Sequence, residues 1–411
     1  MSGAKAERFH EIDLLKGLAC YLMLTGHALR AHPAGFGPLG FVDKIIIYAM
    51  DFSGPVFFVA SGMNVCTFFD RNRAKAGFDA FRFYLGQAAI LFVLGYTYSL
   101  AIGSLAIGIP DIFQGVAVCT SAVFLVMYLR LPGWAYLVVA AAVYAVYWPF
   151  RLELDAITAV ANTVPMWTSI ETYDQPMFQT AVATVKSLPL WKRQLFAHFS
   201  FFPWAVFFLI GAAVFRTRGR VGEILTSLVF LAMLGASTLL PQAFFSNPVE
   251  LFFRGVPGYV LQTGGGAGLA FIVGRHLYRG AGGSRIARAI EFAGQESFLL
   301  LILHFFLITV SLMFLPKLHM YARAVLIIAG TAWLLPILAR RRDRWALGPA
   351  FERNALVVLG VTFAVGIFLS AAPPLYILAR LVGFVSAFAF AFVFGSIRTR
   401  WRAKCLTPNA A

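Results

Sequence analysis

The chain of 411 residues is 60% hydrophobic and only 13% charged, whereas a soluble fold needs roughly 25% charged residues to cover its surface. Its formal charge of +16 comes from basic residues in short clusters between apolar runs, a pattern that indicates membrane topology and argues against nucleic-acid binding. The apolar content excludes disorder, and four cysteines without Cys-x-x-Cys spacing exclude a disulfide scaffold. The composition therefore predicts an all-α polytopic membrane protein.

Apolar runs of about 20 residues, the length of a spanning helix, recur along the chain and predict ten to twelve spans. The twelve candidates lie at 11–31, 45–69, 83–102, 111–129, 133–150, 199–215, 221–240, 257–274, 296–314, 322–339, 354–371 and 375–396. The pair 111–129 and 133–150 is separated only by a short stretch from Arg130 to Gly133. The first run holds Lys16 and His27 and has no small-x-small cleavage site, so we expect a retained span rather than a signal peptide.

Basic clusters such as 216–220 and 340–344 fall in alternate loops, which predicts that both termini are cytoplasmic. Residues 1–411 then form one membrane domain, in which 320–411 supply additional spans and a basic tail. The long loop 151–198 faces outward and combines carboxylates with Trp and Tyr side chains. It could contact a sugar-like acceptor, or it could be a capping loop with aromatic residues at the lipid interface.

The first span carries a polar stripe. Lys16 and His27 are eleven residues apart, so they differ by about 20° around a helix and by about 16 Å along it. Asp13 lies on the same stripe, about 40° from His27. An ammonium group at one end can hold a phosphate and an imidazole at the other can act as a general base. The alternative is that Lys16 extends to the membrane surface while His27 bonds a carbonyl group.

Three further residues are candidates for the same site. His304 is a second intramembrane imidazole, which could line a cavity or support His27. Asp51 precedes a Gly-Pro break and could orient an imidazole or satisfy a kinked helix. His32 follows the first span and could be an outer-face base. No His-Glu-x-x-His or Cys/His spacing suggests a metal.

Four stretches also resemble motifs of a known superfamily. They are 12–19 followed by His27, then 55–62, 201–211, and 294–297 running to His304. In these stretches the chain resembles the membrane acyltransferases that include acyltransferase family 3 and the heparan-α-glucosaminide N-acetyltransferase-like bacterial proteins. The resemblance covers residues 1–310 as an acyltransferase-like core.

The resemblance implies a helical enzyme of a bacterial inner membrane that transfers an acyl group, most often acetyl, from cytoplasmic acyl-CoA. The acceptor would be a hydroxyl or amine of a glycan or lipid-linked molecule at the outer face, and membrane lipid would surround the protein. His27 would be catalytic, with His304 and Asp51 beside it. Asp13, Lys16 and neighbouring arginines would line the CoA end.

The chain departs from the family pattern at three places. Lys16 stands where Arg is commoner, and a lysine gives one point charge instead of a fork. Arg71-Asn72-Arg73 replaces the Arg-x-x-Arg found in many family-3 members, although both arginines are candidates for CoA binding. The heparan-type enzymes place Asn at the position of His27 and a His in the next outer loop, which makes His32 a rival base.

Two other functions use the same features. A secondary transporter or flippase for a lipid or sugar also needs many spans and intramembrane charges. An assembly partner of an envelope synthase would need neither catalysis nor transport. Helices rich in Gly and Ala pack closely within or between subunits, so a homo-oligomer is compatible with the sequence.

Overall fold

A computed structural model describes residues 9–30, 49–50, 52–76, 78–102, 111–158, 189–196, 201–240, 257–281, 284–344, 349–370, 378, 380–392 and 394. Every regular element in these ranges is a helix, which confirms the predicted all-α class. The helices are α1 His10–Arg30, α2 Ser53–Ala76, α3 Phe78–Ile102, α4 Ile112–Met127, α5 Gly133–Thr158, α6 Leu190–Phe196, α7 Phe201–Arg216, α8 Arg220–Thr238, α9 Pro257–Ala281, α10 Arg285–Gln295, α11 Ser297–Phe314, α12 Met320–Arg344, α13 Pro349–Ser370 and α14 Arg380–Phe392.

Six of these helices, α1, α3, α5, α8, α11 and α12, are long and apolar enough to cross a membrane. Shorter apolar segments lie in α4, α7, α13 and α14. The fold is therefore compatible with an integral membrane protein. The count of ten to twelve spans and the cytoplasmic location of both termini remain predictions.

The structure shows where helices begin and end in two regions whose boundaries the sequence left open. The runs 111–129 and 133–150 are separate helices, because the chain leaves α4 at Tyr128 and Arg130 adopts φ of 52°. The predicted loop 151–198 begins as helix, since α5 continues through Pro149 to Thr158, and it contains α6 near its end. The rest of that loop lies outside the described residues.

The amphipathic helix α10 was not predicted, because it is too short to read as a span. Ser284 caps its start by accepting a hydrogen bond from the backbone N–H of Ala287 at 3.0 Å. Its exposed face carries Arg285 and Arg288, whereas Gly294 on its other face is buried. A short helix of this kind suits the boundary between the bundle and the polar phase.

Helix α1 lies at the centre of the bundle, where it packs against α2, α9, α10, α11 and α12. Its residues Ala19, Cys20, Leu24 and Ala28 are buried. Helices on several sides therefore shield α1 from lipid and hold the polar side chains on its surface.

Two glycine pairs bring helices into backbone contact. A Cβ atom on Gly17 of α1 would overlap the carbonyl oxygen of Ile290, and one on Gly294 of α10 would overlap that of Asp13. The second pair, Gly62 of α2 and Gly211 of α7, has the same reciprocal relation. Each pair joins two of the four motif stretches identified in the sequence, which gives those glycines a packing role.

We predict that Gly294→Ala destabilises the bundle by about 1–3 kcal/mol, because the new methyl group must push α10 away from α1. Unfolding in mixed micelles with increasing SDS would measure the loss. Gly235→Ala is the matched control, since a Cβ at Gly235 has no neighbour within 4 Å. Equal stability of the two variants would contradict the proposed close crossing.

Candidate functional site

Two imidazoles from distant parts of the sequence meet inside the bundle. The ring centroids of His27 on α1 and His304 on α11 are 5.6 Å apart, with an interplanar angle of 28°. Phe305 packs against both, at 4.7 Å from His27 and 4.3 Å from His304. The structure thus brings together two residues that the sequence selected separately.

His304 is fully buried, and its hydrogen bonding fixes the tautomer of the ring. Nδ1 lies 3.1 Å from the carbonyl oxygen of Leu300. Because a carbonyl only accepts, Nδ1 must carry hydrogen and donate it. In the neutral ring, Nε2 is then an acceptor, and it has no hydrogen-bond partner among the described residues. His304 therefore stacks on His27 without bonding it and keeps an unused acceptor beside it.

Aromatic contacts connect this pair to α3 and α4. Tyr98 lies edge-on to Phe305 at 5.5 Å and to Phe113 at 4.9 Å. Next to Tyr98, the hydroxyl of Ser99 donates to the carboxylate of Asp111 at 2.9 Å. Tyr98 therefore connects the imidazole pair, through Phe305, to the turn of α3 where Ser99 binds the buried carboxylate of Asp111.

Asp111 was not among the site residues predicted from the sequence. Its carboxylate accepts from the N–H of Ile112, while its own N–H donates to Oε1 of Gln114 at 2.7 Å, completing a capping box at the start of α4. The spacing Asp-x-x-Gln before an apolar run is readable in a sequence and could have identified the residue. Capping explains its position without a chemical role.

Lys16 and Asp13 lie near the other end of α1, and both are half-buried. Nζ of Lys16 is 5.2 Å from the ring centroid of Phe57 on α2, a cation–π contact. Lys16 therefore faces a neighbouring helix, as His27 does. The two residues contact different helices, as expected for groups separated by about 16 Å along α1.

Arginine and glutamate side chains cluster at this end of the bundle. Arg275 on α9 pairs with Glu223 on α8 and lies 3.9 Å from Glu11 on α1. Arg218 also approaches Glu11, at 3.6 Å, and His276 lies 3.1 Å from Glu223. The ion pairs tie α1, α8 and α9 together. The sequence predicts a basic loop at 216–220, but only the fold shows that Arg218 and Arg275 converge on the same glutamates.

Glu291 on α10 forms a second connection to α1. It receives hydrogen bonds from Tyr278 at 3.0 Å and Gln295 at 3.0 Å, and it lies 2.6 Å from Nδ1 of His10. Burial, and then the hydrogen bond to Glu291, raise the pKa of the Tyr278 hydroxyl, which lies at the polar end of α9. A neutral Tyr278 donor is therefore retained beside the carboxylate.

Of the remaining predicted site residues, the structure describes only the side chain of Arg71. Arg71 is exposed near the end of α2. The side chain of Arg73, and all of His32 and Asp51, lie outside the described residues. In the ranges given above, no group of three or more His, Cys, Asp or Glu side chains is placed to hold a metal ion.

Comparison with known proteins gives no family. The chain matches no family model, and no curated protein matches it. The resemblance to membrane acyltransferases therefore depends on the four motif stretches alone.

We predict that Arg275→Met lowers the free energy of unfolding by about 3 kcal/mol, because it removes the cation between Glu223 and Glu11 and leaves Glu223, in a largely buried setting, with only the imidazole of His276 beside it. The measurement is SDS-driven unfolding of purified protein. Arg220→Met is the control, since Arg220 is exposed at the start of α8, and we expect a change within about 0.5 kcal/mol. A loss no larger than that of the control would show that the ion pairs contribute little.

Proposed function

We propose that the protein is a membrane acyltransferase that moves an acyl group from acyl-CoA to a hydroxyl or amine of a glycan or lipid-linked acceptor. The observation that carries the proposal is the His27–His304 pair within an apolar bundle. A base in such surroundings is unusual, and ionisable groups inside membranes mark functional sites by default. The acceptor, the acyl chain and the location in a bacterial inner membrane belong to the same proposal.

His27 is the catalytic base in this proposal. A nitrogen of its imidazole takes the proton from the acceptor hydroxyl or amine as that group attacks the thioester carbonyl. The C–S bond breaks as the new C–O or C–N bond forms, and the proton then passes to the departing CoA thiolate. His304 is a positioning residue, because its Nδ1–H is committed to Leu300 and its ring packs against His27.

Transfer through an acyl-imidazole also begins at His27. In that route the imidazole attacks the thioester first, and the acceptor then displaces the acyl group from nitrogen. The two routes differ in one observable, since only the second leaves labelled acyl group on the protein when acceptor is withheld.

The donor would enter at the end of α1 that carries Lys16. Lys16 supplies an ammonium group there, whereas Arg218 and Arg275 at the same end of the bundle are paired with Glu11 and Glu223. A phosphate group of CoA would contact Lys16 and compete with these glutamates for the arginines. The distance of about 16 Å from Lys16 to His27 along α1 requires an extended donor with its thioester far from its phosphates, as in acyl-CoA.

We predict that His27→Ala lowers acyl transfer by at least about 100-fold, because a general base is lost, while acetyl-CoA still binds. The measurement is incorporation of label from radioactive acetyl-CoA into the lipid and glycan fractions of membranes. His319→Ala is the control, because His319 is exposed in the turn before α12. Transfer by His27→Ala at the rate of the control would remove His27 from the mechanism.

We predict that Lys16→Ala weakens binding of acetyl-CoA to purified protein by about tenfold, since one charge-assisted phosphate contact is lost. Lys317→Ala, which removes an exposed lysine at the other end of α11, should bind normally. If the unmodified protein binds no acetyl-CoA but takes up solute in proteoliposomes, it is a transporter or flippase. A protein that does neither fits an assembly partner of an envelope synthase.

A further inference from the structure

Arg323 is the largest side chain that is completely buried in the described part of the bundle. It lies in the first turn of α12. Its Nη2 donates to the carbonyl oxygens of Leu315 at 2.9 Å and Pro316 at 3.1 Å. These carbonyls follow α11, at the negative end of its helix dipole, so the cation stabilises that end.

This capping uses only one nitrogen of the guanidinium group. Nε and Nη1 have no hydrogen-bond partner within the ranges described above. No carboxylate there forms an ion pair with Arg323 either. A buried guanidinium with two unsatisfied nitrogens is costly, so helix capping does not explain the whole side chain.

A second buried polar group lies on the same face of α12. Thr331 is eight residues, or about 12 Å, beyond Arg323, and its side chain is fully buried. Hydroxyls such as those of Thr25 and Thr263 donate to the carbonyl four residues earlier. Thr331 makes no such bond, nor any other among the described residues. The buried face of α12 therefore presents polar groups that the helices do not satisfy.

This face is turned toward the helices that carry the imidazoles, because α12 packs mainly against α11 and α1. α10 crosses α1 at Gly17, and α11 then reaches His27 through His304. α11 therefore runs in the same direction as α1. Its end at Leu315 lies eleven residues, about 16 Å, beyond His304. Arg323 is thus on the far side of the imidazole pair from Lys16.

We propose that Arg323 binds a phosphate group of a lipid or lipid-linked molecule at this end of the bundle. Nε and Nη1 lie on different edges of the guanidinium group, and each keeps an unsatisfied N–H that a phosphate oxygen can accept. Basic sites between membrane helices bind phosphate head groups. The turn from Leu315 to His319 supplies the carbonyls that Arg323 caps and is largely exposed, so it must move for a phosphate to reach these nitrogens.

This inference rests on the proposed function where it assigns the ligand to acyl transfer. If acyl-CoA enters near Lys16, the Arg323 end is left for the acceptor. A phosphate held by Arg323 would place an acceptor hydroxyl about 16 Å away, beside the imidazoles. The acceptor class is then a lipid-linked molecule with a phosphate group.

The test compares probes that differ by one phosphate. The thermal unfolding of purified protein is measured while one of three probes is added. The probes are dioleoyl phosphatidic acid, dioleoylglycerol and inorganic phosphate. Dioleoylglycerol differs from phosphatidic acid only in lacking the phosphate. We expect stabilisation by phosphatidic acid and none by dioleoylglycerol. A response to inorganic phosphate as well would show that the phosphate alone suffices. Stabilisation by phosphatidic acid only would show that the site requires a lipid carrier.

Substitutions at single residues test whether stabilisation by phosphatidic acid depends on Arg323. Arg323→Met should raise the half-saturating concentration of phosphatidic acid by about tenfold or more, since the charge-assisted contact is lost. Arg323→Lys should keep part of the response, and Lys317→Met, which removes an exposed cation from the same turn, should keep all of it. An undiminished response of Arg323→Met, or no response of the unmodified protein to any phosphate probe, would overturn the proposal.

Acetyl-CoA binding, measured on the same samples, separates this inference from the proposed function. Arg323→Met should bind acetyl-CoA normally, which also shows that the variant is folded. If Arg323→Met fails to fold, the responses of Arg323→Lys and Lys317→Met to phosphatidic acid are compared instead. A weaker response of Arg323→Lys supports the site, and equal responses contradict it. Unmodified protein that responds to phosphatidic acid but binds no acetyl-CoA keeps the phosphate site and contradicts acyl transfer. Unmodified protein that binds acetyl-CoA but does not respond to phosphatidic acid contradicts the phosphate site and leaves the proposed acyl transfer standing.

Discussion

The backbone contact between Gly17 and Gly294 positions most of what surrounds the candidate site. It fixes α10 across α1, and α11 begins immediately after α10. The position of α11 along α1 then decides whether His304 meets His27. Because neither glycine has room for a Cβ atom, the contact tolerates no larger residue without separating the helices.

The same arrangement explains how costly polar groups persist in an apolar bundle. Lys16 contacts the ring of Phe57, and the Nδ1–H of His304 donates a hydrogen bond to the carbonyl oxygen of Leu300. Arg275 lies between carboxylates from two helices. Each group is partly compensated by a specific neighbour. His304 and Arg323 are among the buried groups that keep an atom without a hydrogen-bond partner in the described part of the chain, and the phosphate proposed for Arg323 would satisfy its nitrogens.

Much of the fold could be predicted because a spanning helix appears in the sequence as a continuous apolar run of about 20 residues. Apolar runs placed most helices within a few residues, including the division at Arg130. Helix α10 was missed because it has eleven residues of mixed polarity, and only its contact with α1 reveals its role. The continuation of α5 to Thr158 was missed because its last turns are polar.

The candidate site was less accessible from sequence. The stripe of Lys16 and His27 follows from helical periodicity. The contact between His27 and His304 joins positions far apart in the chain, and the sequence left open whether His304 supports His27 or only lines a cavity. Asp111 could have been found from its capping spacing. Nothing in the sequence distinguishes Arg323 from other basic residues near helix ends, since its burial depends on how the turn after α11 folds against it.

The position of α10 also sets a depth within the bilayer. Its basic residues Arg285 and Arg288 are exposed while Gly294 contacts α1, so one face of the helix suits anionic head groups and the other suits the core. Helix α11 then starts at the level of the head groups, and His304, seven residues later, lies about 10 Å deeper.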